Sequence, residues 1–276
     1  MKRKVIVQID TENGMKEFDG IDVKFSVKKL MSSVMNEAQI DICNLSRSDI
    51  EYLTTYTSEF LAIDKHKRVR ILAGYEESGV SLIFDGDIAR AIPTNPPDVW
   101  LKCKALSGYY DNKTPISISM TGTLDIKNVC ERCASALGMP LRYMATQSNM
   151  ITDFNFNGDL TKVISELNDI GGIAVWEEDG TLFVVNDNYA RDDLIARELS
   201  EDSGMIGVPK VDPSGIEVNV LLDNSLQVGQ MVVLKSKVIP SANGNYFIYE
   251  LKHEGQLRGN TFQTTIKARR EDNELA

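Results

Sequence analysis

The sequence predicts an α+β chain that is mainly β, with two similar antiparallel β units flanking a small inserted α+β unit. Three observations carry this. A three-strand pattern occurs near both ends at one spacing: VRILA from Val69, LIFDGDI from Leu82 and VWLKCKA from Val99 overlay, 163 positions on and without a gap, on the segment from Val232 to Ala268. Strand side chains alternate with a period of two, so a constant shift keeps the same residues facing inward. Between the copies the period changes to that of helices. At 276 residues the chain also exceeds the usual size of one core.

The overlay pairs Val69 with Val232, Ile71 with Leu234, Phe84 with Phe247 and Ile88 with Leu251, and in the third strand Leu101, Cys103 and Ala105 with Thr264, Ile266 and Ala268. Two antiparallel meanders of unrelated origin can also be laid over each other by shifting. Both readings, duplication and coincidence, stand at this point.

Residues 1–110 form the first β unit. Strands are expected at Val5–Ile9, Val23–Val27 and Val34–Cys43, followed by a helix in NLSRSDIEYL. Ser46 is its N-cap, Asp49 reaches back three residues later, Leu45 stands before the cap, and Ile50 and Leu53 continue the apolar face. The meander follows, with Pro93, Pro96 and Pro97 in a connection where no ladder donor is needed.

Residues 111–200 form the insertion. A helix is expected from Leu124 to Leu137, capped by Thr123 and stopped by Gly138 and Pro140, with Ile126, Val129, Cys130, Cys133 and Leu137 on one face. A short strand, LRYMA, closes this part. A second helix, Leu160–Ile170, starts at Asp159 and ends at Gly171 and Gly172. It leads into the hairpin IAVWEEDGTLFVVND, with Asp179 and Gly180 as the turn. Residues 201–276 form the second β unit, entered through a polar linker at Ser200–Gly204, with a strand from Gly215, the second meander and a loose tail, REDNELA.

The formal charge is −10, which argues against a general nucleic-acid binder. Residues 1–110 hold 15 basic and 16 acidic side chains, residues 111–200 hold 7 and 14, and residues 201–276 hold 8 and 10. The acidic excess therefore sits in the insertion, where it is read as a solvated surface. Apolar runs are short and interrupted by acidic residues, so neither a signal peptide nor a spanning helix is expected, and the chain is read as made in the cytosol with reduced thiols.

No constellation assembles a catalytic, cofactor or metal site. Cys130 and Cys133 form a Cys-x-x-Cys pair, but they fall mid-helix on the apolar face, and Cys43, Cys103, His66 and His253 are too scattered to complete a zinc site. They are read as core. The two histidines have no nucleophile or carboxylate partner in sequence and are assigned surface or partly buried structural roles. Asp85 with Asp87, Glu177 to Asp179, and Asp192 with Asp193 fit no calcium-loop spacing and are read as solvated turns. No Walker loop and no Gly-x-Gly-x-x-Gly opening a helix occurs.

Four segments stand out: IDICNLSRSDIEYL from Ile40, VRILAGYEESGVSLIFDGDIARA from Val69, GMIGVPKVDPSGIEVNVLLDNSLQVGQMVVLKS from Gly204, and GNYFIYELKHEGQLRGNTFQTTIKARR from Gly244. Together they resemble the baseplate hub proteins of bacteriophage tails, the late control protein D or tail protein family with relatives in contractile injection systems. Their order and spacing, more than any single segment, carry the resemblance. It implies two tube-type antiparallel β-barrel domains flanking inserted material, with three protomers closing a ring of pseudo-sixfold symmetry. It further implies a structural, non-enzymatic homotrimer in the virion baseplate, assembled in the host cytoplasm and without contact to a membrane. The implied partners are the tail tube protein, the spike protein, the tape measure protein and baseplate wedge proteins, with DNA passing the lumen without specific binding.

The chain departs from larger relatives by ending soon after the second meander, without the extension of type VI secretion spike proteins or a lysozyme-like segment. The strand, helix, strand order of the insertion loosely resembles a LysM-type module. The alternative reading is therefore a cell-wall-binding or hydrolytic tail protein acting through the middle unit. A third, a redox or metal protein, rests on Cys130 and Cys133.

Overall fold

The computed structural model describes residues 1–11, 13–54, 67–110, 112, 114–147 and 149–270. His66 and the acidic end of the REDNELA tail lie outside the described residues.

The first part holds β1 (Arg3–Thr11), β2 (Gly14–Asp19), β3 (Val23–Leu30), β4 (Glu37–Cys43), α1 (Arg47–Leu53), β5 (Arg68–Tyr75), β6 (Gly79–Pro93) and β7 (Trp100–Leu106). The insertion holds β8 (Ile116–Asp125), α2 (Ile126–Leu137), β9 (Leu141–Tyr143), β10 (Met150–Gly158), α3 (Leu160–Ile170), β11 (Ile173–Glu178) and β12 (Thr181–Asn186). The last part holds β13 (Arg197–Leu199), β14 (Met205–Asp212), β15 (Gly215–Leu221), β16 (Met231–Leu234), β17 (Gly244–Gln256) and β18 (Phe262–Arg269).

Strands of both ends join one 13-stranded sheet in the order β2-β1-β5-β6-β7-β4-β3-β17-β18-β15-β14, with β16 on the first half of β17 and β13 beside β16. The join is the antiparallel β3–β17 ladder, from Glu250 opposite Leu30 to Gln256 opposite Lys24. Among the described residues no ladder closes either end into a barrel by itself.

The internal repeat is larger than the meander and differs from it in register. The spatial order β3-β4-β7-β6-β5-β1 in the first part recurs as β14-β15-β18-β17-β16-β13 in the last. Val69 pairs with Gly86 and Val232 with Tyr246, while Ala105 pairs with Ile88 and Ala268 with Ile248. The flanking strands thus correspond at the expected shift of 163, but the central strand corresponds at 160. A β-bulge fixes the assignment, falling between Ile88 and Arg90 in β6 and between Ile248 and Glu250 in β17. The partners of Ile88 and Ala91 are Ile248 and Leu251, not the Leu251 and Glu254 of the ungapped overlay. Opposite length changes in the two successive hairpins cancel, so β7 returns to step and conceals an odd slip that exchanges faces in the middle strand. The outermost strand also differs, because β1 runs antiparallel to β5 whereas β13 runs parallel to β16.

Local boundaries follow the caps. Ser46 Oγ accepts from the Asp49 N–H at 3.1 Å, as expected, while the Asp49 carboxylate receives Lys16 Nζ at 2.6 Å. The helix expected from Leu124 starts at Ile126, because β8 runs through Asp125, whose side chain accepts from the Lys127 N–H as N-cap in place of Thr123. The strand expected from Val34 starts at Glu37. The polar linker is a 3-10 turn closed by a reciprocal Ser200–Ser203 capping box. Sequence reading misses β14, whose Gly207 and Pro209 resemble breakers; an edge strand tolerates both.

Three apolar clusters hold the molecule. Val7, Ile9, Ile40, Ile71 and Phe84 belong to the first, and Val218, Val232, Leu251 and Ile266 to the last. The insertion's cluster packs α2 and α3 over the β8–β10 ladder and the β9–β12–β11 sheet, with Val129, Cys130, Leu160 and Val184 buried. Trp176 and Val185 leave the insertion and bury in the last cluster.

Candidate functional site at the junction of the three units

The β11–β12 hairpin carries its turn, Glu177 to Gly180, into the place where the first part, the insertion and the last part meet. The register of β3 supplies the other half of the site. Val23, Phe25 and Val27 alternate into the core, and Lys29 occupies the next inward position, 5% exposed. Its ammonium donates to Glu178 Oε1 at 3.0 Å and Asp179 Oδ2 at 2.8 Å. Burial alone would push Lys29 down, but the two carboxylates outweigh it and hold its pKa above the ordinary lysine value.

Glu177 faces the first part. Its Oε2 accepts from Ser107 Oγ at 2.6 Å and its Oε1 from the Gly180 N–H at 2.7 Å. Asn36 donates its amide to the Glu177 carbonyl and its own N–H to Ser107 Oγ. Burial pushes the Glu177 carboxyl up to about 7, against the two hydrogen bonds it accepts. The Asp85 N–H donates to Asp179 Oδ1, and the Asp85 carboxylate receives Arg68 Nε at 2.7 Å and Arg70 Nε at 3.0 Å.

The opposite side of the hairpin faces the last part. Trp176 stacks on Phe183, and the Arg191 guanidinium lies 4.2 Å over the Phe183 ring. The Arg191 N–H donates to the Gly229 carbonyl and its side chain pairs with Asp193 in two bonds, Nε to Oδ1 at 2.9 Å and Nη2 to Oδ2 at 2.8 Å. Gly229 has φ of +80°, and a Cβ there would lie 2.7 Å from Arg191 Cδ, so the close approach needs glycine. Behind the cluster His253 is 2% exposed, with Nδ1 2.9 Å from Thr264 Oγ1, and burial pushes it down to about 3, with Lys29 adding to the effect. A cavity of about 180 Å³ borders these groups, lined by Lys29, Ile83, Glu178, Phe183, Asn224 and His253 among others.

This places several sequence candidates together and corrects their reading. Asp85, Asp87, Glu177 and Glu178 are buried rather than solvated. Half-exposed Asp193 joins them through Arg191, and His253 is wholly interior rather than superficial. Part of the insertion's acidic excess is therefore internal. Cys130 and Cys133 stay apart from the site, buried on the inner face of α2, and burial pushes both thiols up to about 12. Cys103 is likewise buried and raised to about 12, and Cys43 is a half-buried free thiol. Among the described residues no group of three or more His, Cys, Asp and Glu side chains is arranged to hold a metal ion. No described helix is long and apolar enough to cross a membrane.

Sequence reading does not single out Lys29, Asn36, Ser107 or Arg191. For Lys29 a signal exists, since a lysine at an inward position of V-x-F-x-V-x-K implies a buried counter-charge.

The arrangement joins and orients; its charged groups are turned on one another. The fold is similar to that of solved tail proteins and of a secretion-system component. The tail protein of Neisseria meningitidis MC58 superimposes with a TM-score of 0.67 at 10% identity, over 98% of this chain and 97% of that one. The 43 kDa tail protein of prophage MuSo2 from Shewanella oneidensis gives 0.65 at 9% identity, over 98% of both chains. The E. coli c3393 protein, a component of the type VI secretion system, gives 0.62 at 9% identity, over 91% of this chain and 74% of that one. No curated protein sequence matches this one. The chain belongs to the baseplate hub gp41 family, whose model matches residues 3–268. It is a baseplate hub or tail protein of a phage or injection system, from a structural family.

Proposed function

We propose that this hub is a non-enzymatic homotrimer of the virion baseplate, presenting six similar β units that join a hexameric tail tube to a trimeric spike. The observation that carries this reading is the recurrence of one six-strand order at both ends of the sheet, which gives a threefold object six comparable faces. In this reading residues 1–110 and 201–276 are the two tube-type domains and residues 111–200 the inserted domain, with barrel closure completed between protomers. The main path of the sheet ends in two edge strands, β2 and β14, and its branch ends in a third, β13. Met15 on β2 and Ile206, Val208 and Val211 on β14 are exposed apolar side chains. Pairing of β2 with β14 of the next copy is a head-to-tail contact, which a threefold rotation closes into a ring. The channel then admits the tape measure protein and DNA, and the wedge, tube and spike proteins bind outside it.

Light scattering tests the reading. A mass of three times 30.8 kDa, with a ring in negatively stained tails, supports it. A stable monomer at high concentration with no ring overturns it. Peptidoglycan pull-down and zymography are expected to show neither binding nor clearing, against a wall-directed role for the insertion.

A further inference from the structure

Among the described residues Glu177 differs from Glu178, Asp179, Asp193 and Asp85 in having no cation paired with it. Lys29 is shared by Glu178 and Asp179, and Arg191 is bonded to Asp193 with Nη1 3.9 Å from Glu178 Oε2. Asp85 takes Arg68 and Arg70 from β5. What touches the Glu177 carboxylate is one hydroxyl, Ser107, and one backbone N–H, Gly180. The Ser32–Met35 loop and α3, through Leu160, Thr161 and Ile164, bring no charge to it. Its own hairpin adds Glu178 and Asp179, β6 adds Asp85 and Asp87, and β17 adds only the neutral His253.

With Glu177 protonated, Glu178 and Asp179 share Lys29, Asp193 holds Arg191, and Asp85 takes Arg68 and Arg70. Ionisation of Glu177 adds one uncompensated negative charge to an enclosed site already crowded with carboxylates. Burying an unpaired charge is costly, and the tip can remove the charge only by moving into water. The attachments that would give way are those of the tip itself: the Asn36 and Ser107 contacts, the Lys29 bonds to Glu178 and Asp179, and the seat of Trp176 in the last cluster. The insertion's own core, built on α2 and α3, does not depend on them.

We propose that Glu177 makes the β11–β12 tip a proton-controlled latch: protonated, it seats the insertion against both β units, and ionised, it releases the tip while leaving the insertion folded. The elevated pKa of Glu177 places the change near neutral pH, within reach of a modest shift in conditions. The latch would let the inserted unit change its angle to the sheet without unfolding either.

Hydrogen exchange on the full chain, corrected for intrinsic rates, tests this together with the fluorescence of Trp176 in a Trp100→Phe background. Between pH 6 and 8.5 the protection of residues 176–181 is expected to fall about tenfold or more, with a red shift of Trp176, while residues 126–137 keep theirs. Glu177→Gln, whose Oε1 can accept from the Gly180 N–H while its amide N–H donates to Ser107 Oγ, removes the charge and is expected to hold the tip protected at both pH values. Loss of protection in the tip and in α2 to the same degree overturns the latch, as does an unchanged pH dependence in Glu177→Gln. Should that variant not fold, wild-type exchange decides alone, because protection of the tip that is flat across this range also overturns it.

Discussion

Lys29 Nζ lies 3.0 Å from Glu178 Oε1, tying β3 of the first β unit to an inserted hairpin 149 residues further on. Both side chains are less than a tenth exposed. Removing one partner strands the other charge away from bulk solvent, whereas neutralising the whole group removes the problem with the interaction. Lys29→Met is therefore expected to cost about 3–5 kcal/mol in urea denaturation. Adding Glu178→Gln and Asp179→Asn to it is expected to recover most of that loss. If the triple variant is no more stable than Lys29→Met alone, the pair is not what makes the single substitution costly.

Between pH 4.5 and 6.5 two buried groups act on stability with opposite signs. His253 is depressed from 6.5 to about 3, so the unfolded chain binds more protons in that interval and stability falls as pH drops below 6.5. Glu177 is raised from 4.5 to about 7, so the folded chain binds more protons and stability falls as pH rises from 4.5 to 7. Where the intervals overlap, between 4.5 and 6.5, the two slopes cancel. His253→Gln leaves the Glu177 slope alone there and should make the protein more stable at pH 4.5 than at 6.5 by roughly 1–3 kcal/mol. Thermal melts across that range check this, and a profile unchanged by the substitution would show that His253 is already exposed or charged.

How much of this was legible in the sequence depends on the range of the interaction. The Ser46 cap, the α3 face and the Asp179–Gly180 turn are local, and the chain spells them out within four residues. The inward alternation of β5 and β7 is likewise local, and the shift of 163 holds for both. The slip in β6 is not visible, because equal and opposite changes in two hairpins leave the ends in step and only the ladder counts the difference. The junction is invisible for a related reason: Glu177, Glu178 and Asp179 have the composition of a solvated turn, and only a lysine from β3 and a serine from the end of β7 make them interior.

Cys130 and Cys133 carry the same lesson in the opposite direction, since the Cys-x-x-Cys spacing suggests redox chemistry and the helix face removes it. Both are buried at 0% exposure, and their thiols are raised to about 12 by loss of solvent. Thiolate is the reactive form, so at pH 8 these two should react with an aromatic disulfide only through opening of the insertion. Half-buried Cys43 should label first, and the other three only in denaturant. Rapid native-state labelling of Cys130 or Cys133, located by peptide mass, would contradict the core assignment.

The β14 edge separates assembly from folding in a way a core residue cannot. Val208 is 52% exposed and stands where the β14–β15 ladder is interrupted, so its side chain contributes little to the fold of one chain. A lysine there places a charge between the exposed apolar side chains Ile206 and Val211, a common device by which edge strands avoid pairing. In the trimeric reading this edge meets β2 of the next copy. Val208→Lys should therefore leave thermal stability at low concentration within about 0.5 kcal/mol of wild type while the scattering mass falls from trimer to monomer. Ile195→Lys, at a residue 89% exposed and away from both edges, should leave the mass unchanged. A Val208→Lys protein that remains trimeric would move the contact off the β14 edge, and one that unfolds would show that β14 is held by packing within its own chain.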